Sequence, residues 1–467
     1  MSATPNECIY CGFPAGSAEH TILAALGGLR TDRGILCGPC NNGFGETIDR
    51  ALADDMKPIN AIVGVMNGRT REPIAATVED AATGRTFVLT SGRRLAHPDA
   101  VVVSESTQAG VRSLYAVAST QKQADDFVHR LRQEGKPVTV SGREVVPHLF
   151  ASTPTVLWNF GGTDTFRCIA RLVVNLLASY RPALAREPWL APLKKFIVDG
   201  GDSDPWVAYS YGDPIELPAR FDFGHRFALM FDAEAGEVYA HVSLLGIIEL
   251  SVRLGNTIIP RSETWVYELD VLAQSPPSDV AVSSSDGLLV VRGAAPMSDP
   301  SVFVPERLAQ VLVRRNKRIW DDDAPKLLAS LNAARAVEPF DRHEAIVEAL
   351  AEQQQRLLNI ATFVATDIRR HMTDLFGAEV GSAIGDAFGM LAKPDATNRT
   401  GVSDLTHVHA EMLRYVMADH LLEILNEREI RGEELRLLLE GGPGAAIIGR
   451  YMMDQVLQGH PLMKGVR

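Results

Sequence analysis

The chain has 467 residues, 46% of them hydrophobic, and a formal net charge of −12. That length accommodates two or three domains with ordinary cores. The lack of any 18-residue apolar run or leader-like start leads us to expect a cytoplasmic protein with no membrane segment. The acid excess argues against nucleic-acid binding through bulk charge, because phosphate contacts are driven by Lys and Arg displacing counterions. Such a contact would need metal ions, a local basic face or a partner.

The first elements lie in residues 8–42. Two Cys-x-x-Cys pairs, Cys8/Cys11 and Cys37/Cys40, take four of the five cysteines. A two-residue gap lets both thiolates of a pair turn onto one ion, so the four suit a tetrahedral structural Zn²⁺. Extracellular disulfides are the alternative, which the absence of a leader disfavours. Between the pairs lie Glu19-His20 and a stretch from Thr21 to Leu36 in which Gly27-Gly28 and Gly34 allow tight turns. The second pair runs into Asn41-Asn42, and Phe44, Ile48, Ala51 and Leu52 have helical spacing to about Met56. On one continuous helix Asn41, Gly45 and Asp49 share a face. Asp49 reads either as an additional ligand or as a solvated carboxylate.

This arrangement of Cys-x-x-Cys, acid-His, Gly-Gly and Cys-x-x-Cys-Asn resembles the zinc-bound subgroup of HNH endonucleases. The resemblance covers about fifty residues and implies a ββα-metal head that hydrolyses DNA, or RNA. It implies that Glu19 and Asn41 hold a catalytic Mg²⁺ or Mn²⁺ and that His20 is the general base. The family's middle Asn is replaced by Asp32, and the Pro usual shortly after the His is missing, with Leu23 nearby. Arg30 and Arg33 are candidate nucleic-acid contacts in the head.

Downstream, Ala75–Val78 and Thr86–Leu89 read as strands around a hairpin loop at Asp80–Gly84. Val101–Val103, Leu114–Ala118 and Val138–Val140 read as further strands, with a helix over Gln123–Glu134. Residues 164–199 hold two helices, the first with an apolar stripe at Phe166, Ile169, Leu172, Val173, Leu176 and Leu177. Cys168 beside it reads as a buried inert thiol. The segments FRCIARLVVNLLASY and LAPLKKFIVDGG loosely resemble the region beyond the head in longer family members. Strands return at Phe227–Met230, Val238–Val242, Ile247–Val252 and Trp265–Leu269.

Residues 271–301 read as a linker with one short strand at Leu288–Val291. Beyond it, helical spacing covers Glu306–Arg315, Lys326–Ala334, His343–Phe376, Val380–Leu391, Ser403–Arg428 and Glu433–Leu439. Arg314, Arg315 and Lys317 belong to the strongest basic run, a second candidate nucleic-acid contact. Asp321–Asp323 read as an acidic helix start, His407 and His409 as solvated or core residues, and Gly441–Gly444 as a helix break.

The expected class is α+β: a zinc-stapled ββα head (1–58), a mixed α/β middle region (59–270), a linker (271–301) and an α-helical interaction or regulatory domain (302–467). The helices would engage a protein partner or a second copy. The resemblance implies a nuclease in mobile elements or antiviral defence, one version being the effector of a short Argonaute. The competing expectations are a non-catalytic zinc-ribbon scaffold and a DNA-binding regulator.

Overall fold

The computed structural model describes residues 7–79, 86–90, 94–96, 101–108, 111–118, 121–135, 137–140, 158–210, 223–272, 279–284, 301, 303–379 and 402–459. The chain is mixed α/β with small sheets, and its C-terminal region is helical. It divides into two units, residues 1–98 with 155–317, and 99–154 with 318–467. The sequence boundaries at 58 and 301 therefore fall inside the first unit.

The first unit opens with the hairpin β1 (Glu19–His20) and β2 (Thr31–Asp32), followed by helices α1 (Gly38–Glu46) and α2 (Ile48–Val63). The expected single helix is thus two. Thr47 has φ −118° and ψ −95°, which breaks the run and separates Asn41 from Asp49. Strands β3 (Ala76–Glu79), β4 (Thr86–Thr90) and β5 (Arg94–Ala96) form an antiparallel sheet. The β3–β4 hairpin matches the sequence pattern, while the loop at 80–85 lies outside the described residues.

Helix α4 (Thr163–Tyr180) is the central element of this unit, and α5 (Ala191–Asp199) follows it. Twelve residues of α4 are buried, from Thr165 to Ala178. A helix apolar on nearly every face must be covered all round. On one side it packs against α2, and on another it meets β8 (Val207–Tyr209), β9 (Gly224–Asp232) and β11 (Ile248–Asn256). With β10 (Glu237–Leu244), β12 (Glu263–Asp270) and β13 (Asp279–Ser284) these strands form an antiparallel six-stranded sheet, ordered β13-β12-β9-β10-β11-β8. One hydrophobic core runs from Cys8 in the head to Val311, so head and sheet bury their apolar surface together.

The second unit contains the hairpin β6 (Val101–Gln108) and β7 (Val111–Val117), and α3 (Gln121–Gln133). Val138–Val140, expected as a strand, is irregular. Helix α6 (Phe303–Ala333) begins in the first unit and ends in the second. It replaces two expected helices, Pro325 lies within it, and Asp321–Asp323 sit mid-helix instead of at a start. Helices α7 (Arg342–Ala349), α8 (Gln354–Phe376), α9 (Val402–Glu427), α10 (Gly432–Glu440) and α11 (Gly442–Gly459) complete the unit. Its own core includes Trp320, Leu331, Leu357, Met417 and Leu438. The expected long helix from His343 is divided by a 3-10 turn at Ala351–Gln353, and the expected helix break falls at Gly441. Leu288–Val291 and Val380–Leu391 lie outside the described residues, as do the side chains of His407 and His409. Among the described residues no helix is long and apolar enough to cross a membrane.

Candidate metal centre and hairpin site

The four cysteines converge. The Sγ atoms of Cys8, Cys11, Cys37 and Cys40 lie within 4.8 Å of one another, with Cys11 and Cys37 at 3.5 Å. A ZnS₄ tetrahedron with ~2.3 Å bonds places its sulfurs ~3.8 Å apart, so the cluster fits a closed structural zinc site. Local backbone explains the convergence. The Gly12 N–H donates to the Cys8 carbonyl at 3.0 Å, closing the first knuckle with Gly12 at φ +76°. Cys37 is the residue preceding α1, and Cys40 lies in that helix's first turn. The Ile9 N–H donates to the Ile35 carbonyl at 3.1 Å, joining the two knuckles.

The hairpin between the knuckles sorts its side chains by face. Glu19 pairs with Asp32 and His20 with Thr31. Directly opposed residues share a face and successive residues alternate. Glu19 is 3% exposed, whereas His20 is half-buried and Thr31 exposed. The acid and the histidine that are neighbours in sequence thus point to opposite sides.

The Glu19 side is filled by α4. The Arg171 Nη1 lies 2.5 Å from the Glu19 Oε1, and the Asn175 Nδ2 donates to the same oxygen at 3.2 Å. The Arg171 Nη2 lies 2.6 Å from the Asp49 Oδ1 of α2, and the Cys168 thiol donates to that oxygen at 3.4 Å. The Tyr10 hydroxyl, inside the first knuckle, donates to the Asn175 Oδ1 at 3.3 Å. One turn further along α4, the Ser179 hydroxyl donates to the Asp32 Oδ2 at 3.0 Å. Near the start of the helix, the Thr165 hydroxyl donates to the Asp55 Oδ2 of α2 at 2.7 Å. Helix α4 is keyed along its length to the polar residues of the head.

Electrostatics follow from burial. Arg171 is fully buried. Desolvation would lower its pKa, but the Asp49 and Glu19 carboxylates outweigh it and hold the guanidinium charged. Burial raises Glu19 above the ordinary carboxylate range, Arg171 opposing. Burial likewise pushes Tyr10 and Cys168 up, so both stay protonated. Two acids surround one arginine, an uneven ratio for a desolvated cluster.

The remaining candidates are placed as follows. Asn41 lies in α1 and its Nδ2 donates to the Ser17 hydroxyl at 2.7 Å. The Asp32 Oδ1 accepts the Gly34 N–H at 2.7 Å, so Asp32 forms the turn expected of a glycine. Gly27, at φ +88°, ends a 3-10 turn, while Gly28 lets the Ile22 carbonyl approach into the space a Cβ would occupy. Arg30 and Arg33 are exposed on the hairpin, Arg30 against the Tyr180 ring and Arg33 donating to the Gly16 carbonyl. Arg314, Arg315 and Lys317 lie on α6, with Arg314 and Lys317 exposed.

Oxygen donors such as Glu19 and Asn41 suit Mg²⁺ or Mn²⁺ in chemistry. Their placement does not form an open site: the Glu19 carboxylate is buried and already faces the Arg171 cation. Among the described residues, the four cysteines are the one group of three or more His, Cys, Asp or Glu whose ligand atoms lie together.

Sequence reasoning passed over Arg171, Asn175 and Ser179. Their signal is a polar series at four-residue spacing inside a helix otherwise apolar, since a buried Arg demands a partner. Asp49, for which a solvated reading was open, is an ion-pair member with its side chain 14% exposed. No protein-family model, curated protein or solved structure matches the chain.

Proposed function

We propose that residues 1–58 are the head of a zinc-stapled endonuclease of the HNH type, hydrolysing phosphodiester bonds in DNA. The observation that supports this reading is the order of hairpin then helix, closed by a four-cysteine cluster, with His20 on the partly exposed face of β1. His20 accepts the proton of the attacking water, a role suited to a side chain whose ordinary pKa lies near neutrality. The zinc is structural, because four thiolates leave it no position for water. The Glu19 carboxylate faces the Arg171 guanidinium, which competes with Mg²⁺ or Mn²⁺ for it. The acidic chain suits a regulated effector, as in antiviral defence, whose C-terminal helices hold a partner.

A second reading has its own observation. The burial of Glu19 against Arg171 favours a structural acid, as in a zinc module that binds without cutting. Plasmid nicking separates the two, measured with Mg²⁺ and Mn²⁺ on wild type and His20→Ala at equal zinc content. Cutting by wild type alone supports the nuclease. Cutting by both removes His20 from the chemistry, and cutting by neither favours the binding module.

A further inference from the structure

We infer that Arg30, Tyr180 and Trp265 form a stacking platform for single-stranded nucleic acid, one residue along the hairpin from His20. The inference gives the substrate surface of the proposed nuclease and rests on that reading for its purpose, though not for its test.

Three elements meet there. Arg30 sits in the loop end of the hairpin, where its carbonyl accepts the Thr21 N–H at 2.9 Å, and Thr21 follows His20. Tyr180 is the last residue of α4, and Trp265 lies near the start of β12. The Arg30 guanidinium stands 4.8 Å from the Tyr180 ring centroid and its Nη1 donates to the Tyr180 hydroxyl. The Tyr180 ring packs against Trp265. Arg30 is exposed and both rings are half-buried, which differs from the rest of that face of β12, where Tyr267 and Leu269 are fully buried.

Charge completes the case. The Arg181 Nη2 lies 2.8 Å from the Glu263 Oε1, and the Arg261 Nη2 lies 3.8 Å from the Glu263 Oε2. Arg30, Arg181 and Arg261 against Glu263 and Asp32, whose Oδ2 accepts the hydroxyl of Ser179 beside Tyr180, leave a local surplus of one positive charge in a chain of net −12. Aromatic rings that stack bases, flanked by guanidinium groups that neutralise phosphate, are the two components of sequence-tolerant single-strand binding. This island also resolves how so acidic a chain could touch a polyanion.

The test is fluorescence anisotropy of a labelled 12-nucleotide single-stranded DNA with the full zinc-loaded chain, without added divalent ions. Wild type should bind with marked salt dependence. Arg30→Ala and Arg261→Ala, both at exposed positions, should each weaken binding and lower the salt slope by about one. Trp265→Leu should weaken it about tenfold, and Trp265→Phe, which keeps a ring to stack on, should retain binding. A wild-type chain that binds this DNA yet nicks no plasmid keeps this surface and loses only the proposed chemistry. The inference is overturned if wild type fails to bind, if Arg30→Ala and Arg261→Ala bind unchanged, or if Arg314→Ala and Lys317→Ala abolish binding in their place.

Discussion

The first unit holds two buried charged clusters, one on each side of its sheet, and they are built differently. Between head and α4, Arg171 faces both Glu19 and Asp49. On the opposite face of the sheet a row crosses four strands. The Arg226 Nη2 lies 2.5 Å from the Glu268 Oε1, the Arg307 Nη1 lies 3.0 Å from the Glu249 Oε1, and the His241 Nε2 lies 3.1 Å from the Glu249 Oε2. The Ser243 hydroxyl also donates to the Glu249 Oε1 at 2.8 Å. There each acid has its own arginine, the arrangement that makes desolvation tolerable. The head cluster carries one acid more than arginine can match. A structural network gains nothing from surplus buried charge, so the imbalance marks the head as the place where stability is given up.

The largest expected effect tests that contrast directly. Arg171→Met strands two buried carboxylates and should cost ~3–5 kcal/mol, whereas Arg226→Met strands only Glu268 and should cost less. Urea unfolding of the first unit measures both, and equal costs would remove the distinction between the clusters.

A pH experiment sharpens it from another direction. His225, fully buried at the start of β9, is pushed down to about 4 by burial, with the Leu26 backbone of the head opposing. An unfolded histidine has a pKa near 6.5, so between pH 6.5 and 4 the unfolded chain binds the additional proton. Stability from this residue is therefore complete above about pH 6.5 and falls as pH drops, by about 2 kcal/mol at pH 5. His225→Leu should lack that loss. Denaturation midpoints at pH 7 and pH 5 compare the two proteins, and parallel losses would contradict the assignment.

The smallest stability effect is expected at Glu19→Gln. The amide keeps an acceptor for Asn175 and leaves Arg171 matched one to one with Asp49, so the cost should stay below about 1.5 kcal/mol. That makes it a clean probe of activity. Full nicking by a stable Glu19→Gln protein would assign the acid to structure alone, and loss of nicking would assign it to the chemistry.

Much of the head is legible in the chain. Cysteine spacing locates the four-cysteine cluster because two-residue gaps constrain both sulfurs locally, and the Gly27-Gly28 turn follows from backbone geometry. The direction in which Glu19 points is not legible. Its partner stands 152 residues away, and only the packing of α4 against α2 brings them together. Four strands of the six-stranded sheet, β9 to β12, follow from apolar runs, whereas β8 and β13, the latter inside the expected linker, do not, and the strand order depends on long-range pairing. The break at Thr47 is hidden because apolar spacing continues through it.

The most direct test of the account compares zinc-replete wild type with His20→Ala on supercoiled plasmid in Mn²⁺, after matching their melting temperatures. The account predicts nicking by wild type and none by the equally stable variant. Equal nicking by both, or none by wild type even with candidate partners present, would contradict it.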